Sequence, residues 1–215
     1  GTDVTLYGCQ YDKDPYAIFD LTTAAVTNYS PVIKKYFTSL SDLNADINPI
    51  TDPTKYQSAG GTAFVKLTTD EGCFATAKIT LVAKPIKKSA LLVDKYICID
   101  SRTNLNAGPD YDSYQWSNGA TTSSIDGVEV GQYTVILEKN GCFLEQSVKV
   151  MKAEDPVITE IQISNNTATV IVAGGKPPYQ YSVDATGVWQ DSNIFTGLSR
   201  GQHTFRVRDF YNCNP

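Results

Sequence analysis

Histidine and methionine occur once each in the 215 residues, as His203 and Met151, and tryptophan twice. One histidine excludes a multi-histidine metal site and leaves a single imidazole for any nucleophilic triad. The five cysteines contain no CxxC pair, which argues against a zinc site. No apolar run approaches the roughly 18 residues of a membrane span. A basic excess is also missing: 18 Lys and Arg stand against 23 Asp and Glu, a net charge of −5, which disfavours a nucleic-acid face. No long stretch carries apolar residues at helical spacing, and the chain starts at Gly1, not Met, and lacks a signal-peptide pattern, so it reads as an internal or processed piece of a longer protein.

What is present favours strands and turns: 13 Tyr, 8 Phe, 15 Gly and abundant Thr and Val. Internal repetition organises them. Gly131-Gln132-Tyr133-Thr134-Val135 recurs as Gly201-Gln202-His203-Thr204-Phe205, and Tyr114-Gln115-Trp116-Ser117 as Tyr179-Gln180-Tyr181-Ser182. Earlier, Phe64-Val65-Lys66-Leu67 leads to Gly72-Cys73-Phe74 as Tyr133-Thr134-Val135-Ile136 leads to Gly141-Cys142-Phe143. Each of these reads as a strand, a tight turn and a second strand opened by the cysteine. Alternation supports strands at Ala77–Val82, at Thr167–Val172 and around Phe205–Asp209, where Arg206 and Arg208 share the face opposite Val207. The one helical hint, near Thr22–Asn28, predicts a single turn. The fold class is all-β: a tandem of three small Ig/PKD-like antiparallel β-sandwich domains at 1–84, 85–153 and 154–215, joined by the polar, proline-bearing stretches 84–88 and 152–156.

Each of the first two modules has a cysteine near its start and another at the opening of its last strand. This predicts disulfides Cys9–Cys73 and Cys98–Cys142, worth about 4 kcal/mol each by loop-closure entropy and implying an oxidising, extracytoplasmic compartment. Cys213 is left over, either as an orphan thiol or as an intermolecular partner. Trp116 between Cys98 and Cys142 reads as a core plug packed on their disulfide, with Tyr181 as its counterpart. Trp189, with Tyr179 or Tyr111, is a candidate glycan platform. Asp110, Asp112 and Asp126, with Asp100, are weak calcium candidates whose spacing does not match an EF-hand. The Gly174-Gly175-Lys176-Pro177-Pro178 run lacks the phosphate-loop pattern and reads as a sharp turn. His203 stands at the repeat position of Tyr133, so a strand role is expected of it before a catalytic one. No cofactor is expected, calcium aside.

The third segment, from Gly174 through Tyr179-Gln180-Tyr181-Ser182, Phe195-Thr196-Gly197-Leu198 and Gly201–Asp209, resembles the SprB-type repeat of large surface adhesins in gliding Bacteroidota. The second, with Tyr114–Gly119, Gly131–Val135 and Asn140-Gly141-Cys142, resembles PKD/Ig-like modules of such proteins. Phe19-Asp20-Leu21-Thr22 with Tyr36-Phe37-Thr38-Ser39 resembles a further module found beside them. The resemblance implies a non-enzymatic stalk of a secreted adhesin, attached to the outer surface of a Gram-negative cell. It also implies export by the type IX secretion machinery and a PorP/SprF-like outer-membrane partner reached through a type B C-terminal sorting domain that these residues do not include. The other readings are a carbohydrate-binding module holding surface polysaccharide and the non-catalytic accessory region of a secreted hydrolase.

Overall fold

The computed structural model describes residues 1–215. Its regular secondary structure is nearly all strand, and no helix is long and apolar enough to cross a membrane. Seventeen strands follow in order: β1 (Val4–Tyr11), β2 (Ala17–Phe19), β3 (Ile33–Phe37), β4 (Tyr56–Ser58), β5 (Gly61–Thr68), β6 (Phe74–Ile86), β7 (Lys95–Ile97), β8 (Thr103–Asn106), β9 (Ser113–Trp116), β10 (Ser124–Val128), β11 (Gly131–Lys139), β12 (Cys142–Lys152), β13 (Val157–Ser164), β14 (Thr167–Ala173), β15 (Gln180–Val183), β16 (Ile194–Phe195) and β17 (Phe205–Arg208). They form six sheets with the architecture of Ig-like β-sandwiches in tandem: β1-β6-β5-β3 with β2-β4, β7-β12-β11-β9 with β8-β10, and β13-β14-β16 with β15-β17.

By contact density the chain divides into two compact units. The first is Gly1–Ser89 with Pro109–Gln115 and Val135–Gln146, and the second is Ala90–Gly108 with Trp116–Thr134 and Ser147–Pro215. The core of the first unit is the inward face of its strands: Phe19, Leu21, Val26, Val65 and Ile79 are all at or below 1 % exposed. Alternation puts them there. Ala63, Val65 and Leu67 of β5 point in, while Phe64 and Lys66 stay half-exposed. In the second unit Val170, Tyr181, Phe195 and Val207 form a smaller buried cluster.

The β5–β6 and β11–β12 connections are the expected tight turns. Asn140 and Gly141 both take positive φ, as does Gly72, and asparagine and glycine tolerate that region at little cost. The helical hint is met by a 3₁₀ turn at Leu21–Thr23, capped by the Asp20 carboxylate, which accepts from the Thr22 N–H at 3.0 Å. A one-and-a-half-turn helix, α1 (Leu40–Ala45), lies outside that expectation. Ser39 Oγ caps it by accepting from Asp42 N at 3.1 Å, and Asp46 closes it in the left-handed region. The polar stretch read as a first linker begins inside a strand: Lys84, Pro85 and Ile86 belong to β6, and Ile86 is fully buried.

Candidate functional site

The disulfides are Cys9–Cys142 and Cys98–Cys213, and Cys73 is a free, exposed thiol. This corrects the expected Cys9–Cys73 and Cys98–Cys142 pairs and the expected orphan Cys213. Strand register supplies the reason. β1 runs parallel to β6 and places Cys9 opposite Lys84, eleven residues beyond Cys73. At about 3.3 Å per residue that is roughly 35 Å, far outside the 7 Å Cα separation a disulfide tolerates. The second pair repeats the arrangement. β7 runs parallel to the end of β12, pairing Ile97 with Lys152, so Cys98 lies at the opposite end of β12 from Cys142. In each case the early cysteine sits at the far end of the strand that the later one opens.

Cys9 instead meets the β11–β12 turn. Cys142 lies within 3.8 Å of the Lys84 carbonyl, and Lys84 Nζ donates to the Asn140 carbonyl at 3.4 Å. Around this bridge Tyr111 Oη donates to the Lys87 carbonyl at 2.5 Å, Asp112 accepts from Asn140 N at 2.7 Å, and Asp12 accepts from Lys88 N at 3.2 Å. The Gln146 side chain, buried, accepts from Ser89 N at 2.7 Å and donates to Ser89 O at 3.0 Å. The residues that follow β6 are therefore held at nearly every step, unlike a free linker.

The second bridge is positioned by Asp209. Its carboxylate, 7 % exposed, accepts from Tyr211 N and Asn212 N through one oxygen and from Lys176 N through the other, at 2.9–3.1 Å. That holds the turn leading into Cys213. It also explains Gly175: a Cβ there would stand 2.9 Å from Asp209 Oδ2, and the backbone has φ +68°. Lys176 Nζ covers the Phe210 ring at 4.6 Å.

His203 keeps the repeat position in geometry as well as in sequence. Tyr133 Oη donates to the carbonyl four residues upstream, that of Glu129, at 2.8 Å, and His203 Nε2 donates to Ser199 O, also four residues upstream, at 2.8 Å. This is the back-bonding of a tyrosine corner with imidazole in one copy. The other ring nitrogen meets Asp184 Oδ2 at 2.6 Å, and Asp184 Oδ1 accepts from Thr204 N. A carbonyl and a carboxylate only accept, so the imidazolium alone satisfies both contacts. The Ser199 carbonyl first and the Asp184 carboxylate second raise the His203 pKa, and the His203 hydrogen bond lowers that of Asp184. Both ring nitrogens are spent on the fold.

Trp116 is 2 % exposed and donates from Nε1 to Thr122 O at 2.7 Å. It is a core plug as expected, but without the Cys98–Cys142 disulfide it was expected to lean on. The glycan-platform candidates are otherwise engaged. Trp189, half-buried, has the Arg208 guanidinium 4.4 Å and the Arg206 guanidinium 5.5 Å from its ring centroid. Tyr179 is half-buried with its hydroxyl on Gly174 O at 2.7 Å, and Tyr111 belongs to the other compact unit. Among the acids, Asp110 and Asp112 are exposed, Asp126 lies on β10, and no three His, Cys, Asp or Glu side chains converge anywhere to hold a metal.

Residues 5–87 match the model of a family described as the Flavobacterium inter-domain disulphide bond domain. No curated protein matches the chain. Similar solved structures include the N-terminal eight Ig domains of Down syndrome cell adhesion molecule isoform 1.30.30, at 13 % identity over 98 % of this chain and 34 % of that one, with a TM-score of 0.30. Extracellular domains 3–5 of Drosophila OTK share 10 % identity over 98 % of this chain and 90 % of theirs, with a TM-score of 0.31. Titin domains A168–A170 share 14 % over 92 % and 88 %, also at 0.31. The chain spans about a third of the first of these.

Proposed function

We propose that this chain is a non-enzymatic spacer in the stalk of a secreted surface adhesin, carried to the outside of a Gram-negative cell by the type IX secretion machinery. The observation that carries the reading is the pairing of the cysteines. Cys9–Cys142 and Cys98–Cys213 span 133 and 115 residues of sequence, far more than a single hairpin. Long-range bridges of this kind persist in oxidising compartments and stabilise small sandwiches whose own cores are limited. The match of residues 5–87 to an inter-domain disulphide family supports it, because Cys9 lies inside that stretch and its partner Cys142 outside. The single histidine is committed to Ser199 and Asp184, which leaves no free imidazole to serve as a base.

The sorting domain and a PorP/SprF-like anchor complete this reading. Its test is surface shaving of the parent cell. Protease added to intact cells removes an epitope placed in this region, and deletion of the type IX translocon leaves the epitope protected inside. Protection in both strains refutes a surface location.

A further inference from the structure

The two disulfides cross: along the chain the order is Cys9, Cys98, Cys142, Cys213, with the first joined to the third and the second to the fourth. Crossed bridges, unlike nested or sequential ones, reverse the covalent route through the molecule. Load that enters upstream of Cys9 passes directly to Cys142. From there it travels backward along the chain to Cys98, and from Cys98 it passes directly to Cys213. Residues 10–97 and 143–212 join the same two bridges by longer routes that run in parallel with this one.

We infer that the crossed disulfides make residues 98–142 the shortest of three parallel routes through the chain, so that this stretch is the first to become taut and sets the limit of extension. This deepens the spacer reading and rests on it for its biological meaning. The two longer routes contain β2 through β7 and nearly all of β12 through β17. The shortest route contains β8, β9, β10 and β11. Its apolar side chains are well suited to resist unravelling: Leu105, Trp116, Ile125, Val128, Val135 and Leu137 are each 5 % exposed or less. Trp116 is additionally held by its Nε1 bond, and β8 and β10 are joined by antiparallel pairing from Asn106–Ser124 to Thr103–Val128. Unfolding of one route alone adds no length, because the other two still hold the bridges at their folded separation. Extension requires all three routes to yield, and the shortest then bounds it.

The bound follows from connectivity. The bridged route from Cys9 to Cys213 has 44 residue steps (142 − 98) and the open chain 204 (213 − 9). At about 3.4 Å per step, with the 5.7 and 5.3 Å Cα separations of the bridges added where they are crossed, the fully extended limits are about 160 Å with both bridges and about 700 Å with neither. Removing the first bridge (Cys9→Ser with Cys142→Ser) leaves 89 steps (98 − 9), about 310 Å. Removing the second (Cys98→Ser with Cys213→Ser) leaves 71 steps (213 − 142), about 250 Å. A sequential Cys9–Cys73 and Cys98–Cys142 arrangement would instead reach about 340 Å.

The experiment is single-molecule force extension of the full chain with handles fused before Gly1 and after Pro215, oxidised and then reduced with dithiothreitol. The predicted result is a gain of about 540 Å in fully extended length on reduction, with the two double variants at their intermediate values. These limits depend on covalent connectivity alone, so they hold for a variant that does not fold. A gain near 360 Å, or none, overturns the inference. The outcome is independent of cell biology: a correct load path in a protein that shaving finds inside the cell removes the stalk reading and leaves the mechanical one intact.

Discussion

Replacing Cys213 with serine should strongly destabilise this protein, while replacing Cys73 with serine should leave it unchanged. Cys213 closes a 115-residue span with Cys98. In the chain-entropy description a loop of that size restrains the unfolded ensemble by about 5 kcal/mol, and removal of native disulfides from small secreted domains costs about 2–5 kcal/mol. The crossing lowers the figure, because Cys9–Cys142 already restricts part of the same chain, so a loss of about 2–4 kcal/mol is expected. Serine in place of the exposed, unpaired Cys73 changes no bridge and no core contact, so its effect should fall within about 0.5 kcal/mol. Urea unfolding under non-reducing conditions, followed by tryptophan fluorescence, reads both. Trp116 and Trp189 both lie in the second unit, which also holds Cys98 and Cys213. The sequential arrangement makes the reverse forecast, with Cys73→Ser losing about 4 kcal/mol and Cys213→Ser near neutral. That reversal would refute the register argument from β1 and β6.

Further outcomes follow from single side chains. Trp116→Ala should cost about 3–5 kcal/mol, whereas Trp116→Phe, which keeps most of the buried area and loses the bond to Thr122, should cost about 1–2, both read by urea unfolding. The single histidine gives one unambiguous imidazole signal by NMR, and its midpoint should lie above 6.5. With the folded pKa raised, the stability His203 adds is complete below pH 6.5 and is lost as pH rises through that higher midpoint, so a midpoint at or below 6.5 would break the assignment. Asp184, held low, contributes above about pH 3.8 and loses its contribution as pH falls through its lowered folded value, which the same spectra follow through the carboxylate carbon. Ser182 is buried with its hydroxyl unpartnered, so Ser182→Ala should be neutral or raise stability by about 1 kcal/mol in thermal unfolding.

The strands were legible because their signals are local. Alternation in Ala63–Leu67 and the Asn140-Gly141 and Gly72 turns announce hairpins that nearby residues alone determine. The repeat relation was legible too in the matched positions of Tyr133 and His203, though the corner bonds that the two share were not. Cysteine pairing was not, because it depends on β1 meeting β6, and β7 meeting β12, in parallel. Parallel partners can be joined only through a long connection, and no residue near Cys9 or Cys98 records which end of a distant strand it will face. The matched positions of Cys73 and Cys142 suggested equal roles, yet Cys73 is exposed before β6 while Cys142, opening β12, is 1 % exposed. Helix α1 escaped for a different reason: at six residues it is too short to show a periodic face, and only the Ser39 cap marks it. Trp189 looked like a free ring because the Arg206 and Arg208 that cover it come from β17, fifteen or more residues away.

The crossed pairing is tested most directly by proteolysis of the native protein with thiols blocked, followed by mass spectrometry of the disulfide-linked peptides. The account predicts one peptide pair joining Cys9 to Cys142, a second joining Cys98 to Cys213, and the blocking group on Cys73 alone. A peptide joining Cys9 to Cys73, or a blocked Cys213, would contradict it.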